Sequence, residues 1–374
     1  MIRRRFSVLF VAAAIFALAP LAGSGQTQTG GDDTWTLPRT VDGQPDLQGR
    51  WTMATFTPLE RPERFADREF LTEEEAAELR DLVTTDGTNP LARNLFGETS
   101  DNQRRENTVQ TKENIHYDNA IWLTEENPKN ISSLRTSLVV DPPNGRIPAL
   151  TTEAKRDDEI QREWRVALMQ NTPTCEQQAR ACEGGEFGPI SPHRFDVPPF
   201  YNTNRMNRHD GPEDQSLGDR CMRGVTPDFR GHRRIVQGED SIAIAYDTGQ
   251  GQGYQRVVYL SGNHPPAQLR LRHGDSRGHW EGNTLVIETT NFSPKFPFRG
   301  SGENLKLVER YTRVDDETLD YEVTVEDPTV WSEPWTIRQE MKSQNGTENR
   351  IYYEPRCHEG NYGLYNILAA AGLR

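Results

Sequence analysis

Residues 283–327 read NTLVIETTNFSPKFPFRGSGENLKLVERYTRVDDETLDYEVTVED. Segments 284–290, 305–314 and 318–327 of this stretch are rich in β-branched and aromatic residues, with turn residues between them, which is typical of strands. The connections are short: GN (282–283) precedes the first segment and DDE (315–317) joins the last two. Such links favour antiparallel pairing of neighbours in sequence order. The stretch therefore predicts part of an antiparallel meander.

Similar segments continue on both sides of this stretch. They read SLRTSLVVDPP (133–143), RRIVQ (233–237), DSIAIAYD (240–247), YQRVVYLS (254–261), HWEGNTLVIETTNF (279–292), PWTIRQEMKS (334–343) and NRIYYEPR (349–356). A meander of this many strands must close or stack to hide its edges. We therefore predict a mainly β protein, an antiparallel up-and-down barrel or a strongly curved sheet, with a two-sheet sandwich as the alternative.

The segments before and between the strands predict four further parts. Residues 1–25 hold three arginines and then an apolar run, typical of an export signal; the sequence leaves open an ordinary signal or a twin-arginine one. Residues 26–110 are expected to form an extended arm with one helix at 71–83, where Thr72 and Glu75 fit a capping box. Residues 111–374 form the predicted β domain, with an inserted helix at 151–170 and a loop at 171–220.

Charge and hydropathy indicate which binding partners and which cellular location to expect for the protein. The chain has 43 basic and 56 acidic residues, a net charge of −13 at pH 7, which argues against nucleic acid or an anionic membrane as a partner. After the signal, no apolar run approaches the ~20 residues of a membrane span. We expect a soluble periplasmic or secreted protein whose partner is a small-molecule ligand or substrate.

The cysteines form an even set in a chain expected to reach an oxidising compartment. Cys175 and Cys182 lie close together in a polar segment, so we pair them, which leaves Cys221 with Cys357. A zinc site is the alternative, but no C-x-x-C spacing supports it.

The strand at 305–314 places charge on an apolar face. Leu305, Leu307, Glu309, Tyr311 and Arg313 alternate onto one side. If this side faces inward, Glu309 and Arg313 lie inside with Tyr311 between them, at a desolvation cost of several kcal/mol per ion unless a network or a ligand compensates it. The alternative places the far end of the strand at a wet rim. Glu309 and Arg313 are candidate catalytic residues, and Tyr311 a candidate ligand-binding residue.

Residues 272–292 hold a second group of candidates. Asp275–Gly278 fits a type I turn, and a hairpin follows at 281–284. His273 has no role in a turn, so we consider it a candidate proton carrier, with a solvated loop histidine as the alternative. Arg277 is a candidate anion-binding residue, and Trp280 an apolar ligand contact.

The segment CHEGNYG (357–363) combines a thiol, an imidazole, a carboxylate and a phenol. We interpret it mainly as a turn fixed by the Cys357 disulfide. His358 is a weaker catalytic candidate, and Glu359 and Tyr362 are candidate ligand contacts. The chain contains no H-E-x-x-H pattern and no G-x-S-x-G elbow; we expect no cofactor and assign no metal.

Several segments carry a resemblance to a known group. The chain resembles a widespread family of exported bacterial proteins of unknown function in PDLQGRW (45–51), TPLERP (57–62), RTSLVVDPPNGRIP (135–148), GDSRGHWEGNTLVIETTNF (274–292) and CHEGNY (357–362). The C-terminal half is similar in pattern to lipocalin-like barrels. This second resemblance concerns the fold and implies no function.

Three functions fit these observations. The first is an exported small-molecule-binding barrel, covered by the arm and the loop at 171–220. The second is a cofactor-independent hydrolase or lyase on the same scaffold, using Glu309 or His273 as proton carrier and Arg313 or Arg277 as anion stabiliser. The third is a structural or envelope-interaction protein. A convergence of Glu309, Arg313, His273 and His358 would favour the enzyme, and a filled interior the structural role.

Overall fold

The computed structural model describes residues 35–84 and 133–372, apart from 54, 56, 67, 178–181, 183–184, 230, 250–251 and 345–356. The export signal predicted at 1–25 and the strand predicted at 349–356 therefore lie outside the described residues, as do residues 26–34 and 85–110 of the predicted arm.

Strands dominate the described part of the chain. They are β1 (Gly49–Thr52), β2 (Val139–Asp141), β3 (His232–Gln237), β4 (Ser241–Gly249), β5 (Gln252–Tyr259), β6 (Asp275–Glu281), β7 (Thr284–Thr290), β8 (Lys306–Arg313), β9 (Thr318–Glu326) and β10 (Trp335–Ser343). Each strand from β3 to β10 pairs with the next. Strand β1 pairs with both β3 and β10 and closes a nine-strand barrel, while β2 is added beside β10. The closed sheet excludes the sandwich alternative.

The barrel departs from a simple up-and-down order at two places. Strands β5 and β6 run parallel, with Val258 opposite Ser276, because residues 260–274 form a long connection instead of a hairpin, and a parallel pair needs such a connection. Strand β1 comes from the segment predicted to be an extended arm. Its four residues are too few to show a period in the sequence, yet Trp51 is fully buried among the barrel's core residues.

The turn predicted at Asp275–Gly278 is wrong. These residues begin β6, where Asp275 is paired with Thr290 and Gly278 with Ile287. Asp and Gly favour turns locally, but pairing along the whole of β7 outweighs that preference. The hairpin between β6 and β7 turns at Gly282, which has the positive φ of 62° that such a turn requires.

Four α-helices accompany the barrel in the described residues, against two predicted. Helix α1 (Glu73–Thr84) begins with the predicted capping box: Thr72 N donates to Glu75, and Glu75 N donates to the Thr72 hydroxyl. Helix α2 (Thr152–Met169) is capped by Thr151. Two further helices were not predicted. Helix α3 (Pro173–Gln177) is short, and α4 (Tyr362–Gly372) lies near the end of the described residues.

Two disulfides connect the loops as predicted. Cys175 is bonded to Cys182, and Cys221 to Cys357. The second bond joins the loop before β3 to the segment that leads into α4. It therefore holds residues near 221 against the C-terminal part of the chain.

Candidate functional site

A polar layer crosses the apolar interior of the barrel. On β8, Leu307, Glu309 and Tyr311 point inward as predicted, and Glu309 is 1% exposed. Its Oε1 accepts hydrogen bonds from Arg256 Nη2 at 2.7 Å, Tyr321 Oη at 3.0 Å and Tyr311 Oη at 3.3 Å. Arg256 Nη2 also lies 2.6 Å from Oε2. Arg256, not Arg313, is therefore the partner of this carboxylate.

Burial and neighbouring charges keep Arg256, Tyr311 and Tyr321 of this layer protonated. Burial opposes the charge of Arg256, but Glu309, together with Tyr246 and Tyr311, outweighs this effect and holds the arginine pKa well above its ordinary value. Burial also raises the pKa of Tyr311 and Tyr321 well above the usual range. Both phenols are therefore protonated donors at neutral pH. Glu309 is enclosed and its Oε1 accepts three hydrogen bonds from the barrel's own side chains, so its surroundings fit a structural contact better than a proton carrier.

A second buried arginine lies beside this layer. Arg233 is 2% exposed, lies 4.1 Å over the ring of Tyr246, and donates to the backbone oxygen of Asp228. Arg256 lies 5.5 Å from the same ring. Two guanidinium groups thus share the enclosed layer with the carboxylate of Glu309.

A stack of rings leads from this layer toward one end of the barrel. Tyr246 stacks on Tyr254 with centroids 4.4 Å apart, and Tyr254 stacks on His273 at 3.9 Å. His273 Nδ1 lies 3.0 Å from the hydroxyl of Thr226. Burial, with Arg272 and Arg256 nearby, lowers the pKa of His273 to about 3. The ring is therefore neutral at neutral pH and a weak base, which disfavours the predicted proton carrier.

Beyond His273, four side chains form what we call the mouth cluster: Tyr201, Arg220, Arg272 and Phe296. The guanidinium of Arg272 lies 4.9 Å from the Phe296 ring centroid, and that ring is 5.4 Å from Tyr201. Arg220 lies 5.5 Å from the Tyr201 ring and donates to its hydroxyl at 3.2 Å. Aromatic rings and guanidinium groups therefore alternate over this end of the barrel.

The arginines of the mouth cluster are held by neutral oxygens. Arg272 Nη2 donates to backbone oxygens of Met222 and, at 3.2 Å, of Gly224. Arg220 Nη2 donates to the backbone oxygen of Asn202 at 2.7 Å. Within the described residues, neither arginine forms an ion pair with a carboxylate. Burial lowers the pKa of Arg272, and the nearby charge of Arg220 contributes to the decrease.

The structure does not bring the other predicted catalytic residues to Glu309. Arg313 ends β8 and donates to backbone oxygens of Asp46 and Asp316, at 3.0 and 3.1 Å, because the strand ends there and the long side chain reaches over the barrel rim. Its guanidinium lies 5.6 Å from the Trp51 ring. His358 is an exposed turn residue. The convergence of Glu309, Arg313, His273 and His358 that would favour an enzyme is therefore not observed in the described residues.

The remaining predicted ligand contacts also lie apart from the interior layer, except Tyr311. Arg277 binds Asp275 through two nitrogens, at 2.8 and 3.1 Å, and lies 4.9 Å from the Tyr259 ring. Trp280 is partly buried against the core. Glu359 and Tyr362 are exposed, beside or within α4. None of these contacts converges with Glu309 in the described part of the chain.

Sequence reasoning identified Glu309 and Tyr311 but missed Arg256 and the other tyrosines around it. Strand β5 contains Tyr254, Arg256 and Val258 on one face, so an arginine between two apolar positions was visible in the sequence. Tyr321 alternates with Leu319 and Val323 along β9, and this apolar pattern does not reveal the role of its hydroxyl, which depends on the register that places Tyr321 opposite Tyr311. Arg272 and Arg220 lie in loops, where no period reveals their direction.

Neither a metal-binding cluster nor a membrane-spanning helix is found among the described residues. No group of three or more His, Cys, Asp and Glu side chains among the described residues has a metal-binding arrangement. Within the same residues, no helix combines the length and apolar character needed to cross a membrane.

Comparisons with known proteins add little. No family model and no curated protein sequence matches the chain, so membership of the exported bacterial family stays a prediction. Among solved structures, a crystal structure of a mutant of the fluorescent protein UnaG matches 36% of this chain and 88% of that chain, with 13% identity and a TM-score of 0.19. A score this low supports no inference, and the barrel assignment rests on the strand pairing itself.

Proposed function

We propose that the protein is exported and binds a small organic anion at the mouth cluster. The observation that carries this proposal is the pair Arg220 and Arg272, which lies among aromatic rings without a carboxylate partner in the described residues. Guanidinium groups bind carboxylates through paired charge-assisted hydrogen bonds. The two disulfides support export, because such bonds persist in oxidising compartments.

The binding site in this proposal differs from the interior of the barrel. Glu309, Arg256 and Tyr311 fill the polar layer with their own contacts and are at most 5% exposed. The interior thus supports the mouth cluster through the stack of Tyr246, Tyr254 and His273. Small-molecule sites combine apolar walls with a few polar groups that fix orientation, and the mouth cluster has this composition.

Calorimetric titration with benzoate tests the proposal. We expect benzoate to bind and its neutral analogue benzamide to bind at least tenfold more weakly, since the amide carries no charge. Arg272→Gln should weaken benzoate binding about tenfold or more, as expected for the loss of a charge-assisted hydrogen bond of roughly 1.5–3 kcal/mol. Arg272→Lys should retain part of the affinity.

A matched control uses an arginine on the outside of the barrel. Arg338 forms an ion pair with Asp320 at 2.8 Å, so Arg338→Gln should leave benzoate binding unchanged. Thermal unfolding of each variant checks that the fold is intact. Equal binding of benzoate and benzamide, or no effect of Arg272→Gln in a folded variant, would refute the proposal.

A structural role is the second candidate. The observation that favours it is the filled interior, where Trp51, Trp335 and Tyr311 are at most 1% exposed. If neither benzoate nor any other small anion binds to the folded protein, this candidate becomes the better explanation.

A further inference from the structure

The two arginines of the mouth cluster are separated by a pair of rings. The guanidinium of Arg272 lies 4.9 Å from the ring centroid of Phe296, and the guanidinium of Arg220 lies 5.5 Å from that of Tyr201. The two ring centroids are 5.4 Å apart, and their planes are inclined by 59°. In the order of these contacts, an aromatic surface therefore stands between two positive charges.

Each arginine keeps N–H groups that a ligand can use. A guanidinium has five N–H donors. Nη2 of Arg272 donates to two backbone oxygens, whereas Nη1 has no hydrogen-bond partner in the described residues and, unlike Nε of the same side chain, is not enclosed. Arg220 donates once through each of its three nitrogens, to oxygens that carry no charge. The second hydrogens of its Nη1 and Nη2 therefore remain for a ligand.

The charges of the two arginines are not neutralised by the protein. Burial is the larger cause of the lowered pKa of Arg272, and the charge of Arg220 adds to it, so the two guanidinium groups lie near enough to repel each other. In the part of the chain that the structure describes, no carboxylate pairs with either of them, and the nearby Asp219 is already held by Arg205 at 2.7 Å. A ligand with one negative charge would offset only one of the two arginines.

We propose that the ligand of the mouth cluster is an aromatic dicarboxylate with its two carboxylates on opposite sides of the ring, and that Arg272 binds one carboxylate and Arg220 the other. The ring of the ligand packs against Phe296 and Tyr201, and each carboxylate accepts charge-assisted hydrogen bonds. Inorganic phosphate fits less well, because it carries both charges on one group. This inference rests on the proposed function, since it names the class of anion that the same site binds.

Two probes of nearly the same shape isolate the second charge. Terephthalate carries a carboxylate at each end of its ring and is a dianion at neutral pH, whereas 4-carbamoylbenzoate has a neutral amide in place of one carboxylate. Calorimetric titration of the full chain measures the binding of both. We expect terephthalate to bind at least about tenfold more tightly, as one additional charge-assisted hydrogen bond predicts.

Variants of Arg220 distinguish contact with the ligand from a structural role. Arg220→Gln should reduce terephthalate binding to the level of 4-carbamoylbenzoate, and Arg220→Lys should restore part of the difference because it keeps the charge. If Arg220 only holds Tyr201 in place, Arg220→Gln would weaken both probes equally and leave their ratio unchanged. Thermal unfolding checks that each variant is folded.

Arg270 provides the matched control, because it lies in the same loop as Arg272. Its guanidinium donates to the backbone oxygen of Glu303 at 2.7 Å and lies 4.0 Å from the carboxylate of the same residue. Arg270→Gln should therefore leave the ratio of the two affinities unchanged.

The outcomes separate this inference from the anion proposal. If benzoate binding depends on Arg272 but terephthalate and 4-carbamoylbenzoate bind equally well, only this inference is overturned. It is also overturned if the advantage of terephthalate survives in Arg220→Gln, or if phthalate or inorganic phosphate, whose negative charges lie close together, binds as tightly as terephthalate. If benzoate and benzamide bind equally and terephthalate does not bind, both proposals fail.

Discussion

The buried pair of Arg256 and Glu309 gives the sharpest stability prediction. Glu309→Gln keeps the shape of the side chain and an oxygen for the two tyrosine donors, but removes the charge. The Arg256 side chain is 3% exposed, so its guanidinium cannot regain water. Removing one partner of a buried pair typically costs about 3–5 kcal/mol, and we expect this loss in the free energy of unfolding.

The double variant makes the test specific to the pair. Arg256→Met alone leaves the Glu309 carboxylate buried with only the two phenol donors, so it should also cost about 3–5 kcal/mol. In the variant with both changes no uncompensated charge is left. We therefore expect its loss to fall short of the sum of the single losses by about 3 kcal/mol, at the upper end of coupling energies measured for contacting residues.

Urea unfolding with intact disulfides, followed by tryptophan fluorescence, measures these losses. Arg338 and Asp320 provide the control, because their ion pair lies on the outside and Arg338 is nearly half exposed. The cycle of Arg338→Met and Asp320→Asn should give a coupling below about 1 kcal/mol. Additive losses at Arg256 and Glu309, or a loss below about 1 kcal/mol for Glu309→Gln, would refute the reasoning.

Three further results are expected from the same unfolding assay. The pKa of His273 is about 3 in the fold against 6.5 when free, so the unfolded chain takes up the proton first. The free energy of unfolding should therefore fall as the pH drops from 6.5 toward 3, by about 3 kcal/mol at pH 4.5. In His273→Gln this part of the decrease should be absent, and an unchanged pH profile in the variant would contradict the assignment. Gly231→Ala should be far more destabilising than Gly282→Ala. Both glycines have positive φ, but a Cβ at 231 would lie 2.1 Å from a backbone oxygen of β4, whereas a Cβ at 282 would meet nothing within 4 Å. Equal losses in the free energy of unfolding would argue against this close approach of residue 231 to β4. Replacing Cys221 and Cys357 by Ser should cost about 4–5 kcal/mol in the chain-entropy model, since the bond closes a sequence separation of 136 residues, and a loss below about 1 kcal/mol would show that the unfolded chain gains little freedom.

The sequence predicted those features that depend on a regular period. Alternation along 305–313 placed Glu309 inside, and the same alternation in β5 places Arg256 opposite it. The capping box predicted at Thr72 and Glu75 has the expected hydrogen bonds. The pairing of the four cysteines followed from their spacing and number, and is confirmed.

Features set by tertiary contacts were not predictable in this way. Arg313 follows the alternation of β8, yet the end of the strand lets its side chain turn to backbone oxygens at the rim. Asp275–Gly278 has the composition of a turn, but pairing with β7 makes it a strand. The mouth cluster depends on a loop whose path no local pattern records, so Arg272 and Arg220 could be found only from the structure.

The closing strand β1 has a consequence for the order of folding. Gly49–Thr52 joins β3 to β10, so residues nearly three hundred positions apart must meet before the wall is continuous. Contacts between residues so far apart in the sequence slow folding. Until these contacts form, the free edges of β3 and β10 can accept a strand from any neighbouring chain. We therefore expect a shortened chain that starts after Thr52 to associate with itself, and a supplied peptide containing residues 45–53 to suppress that association.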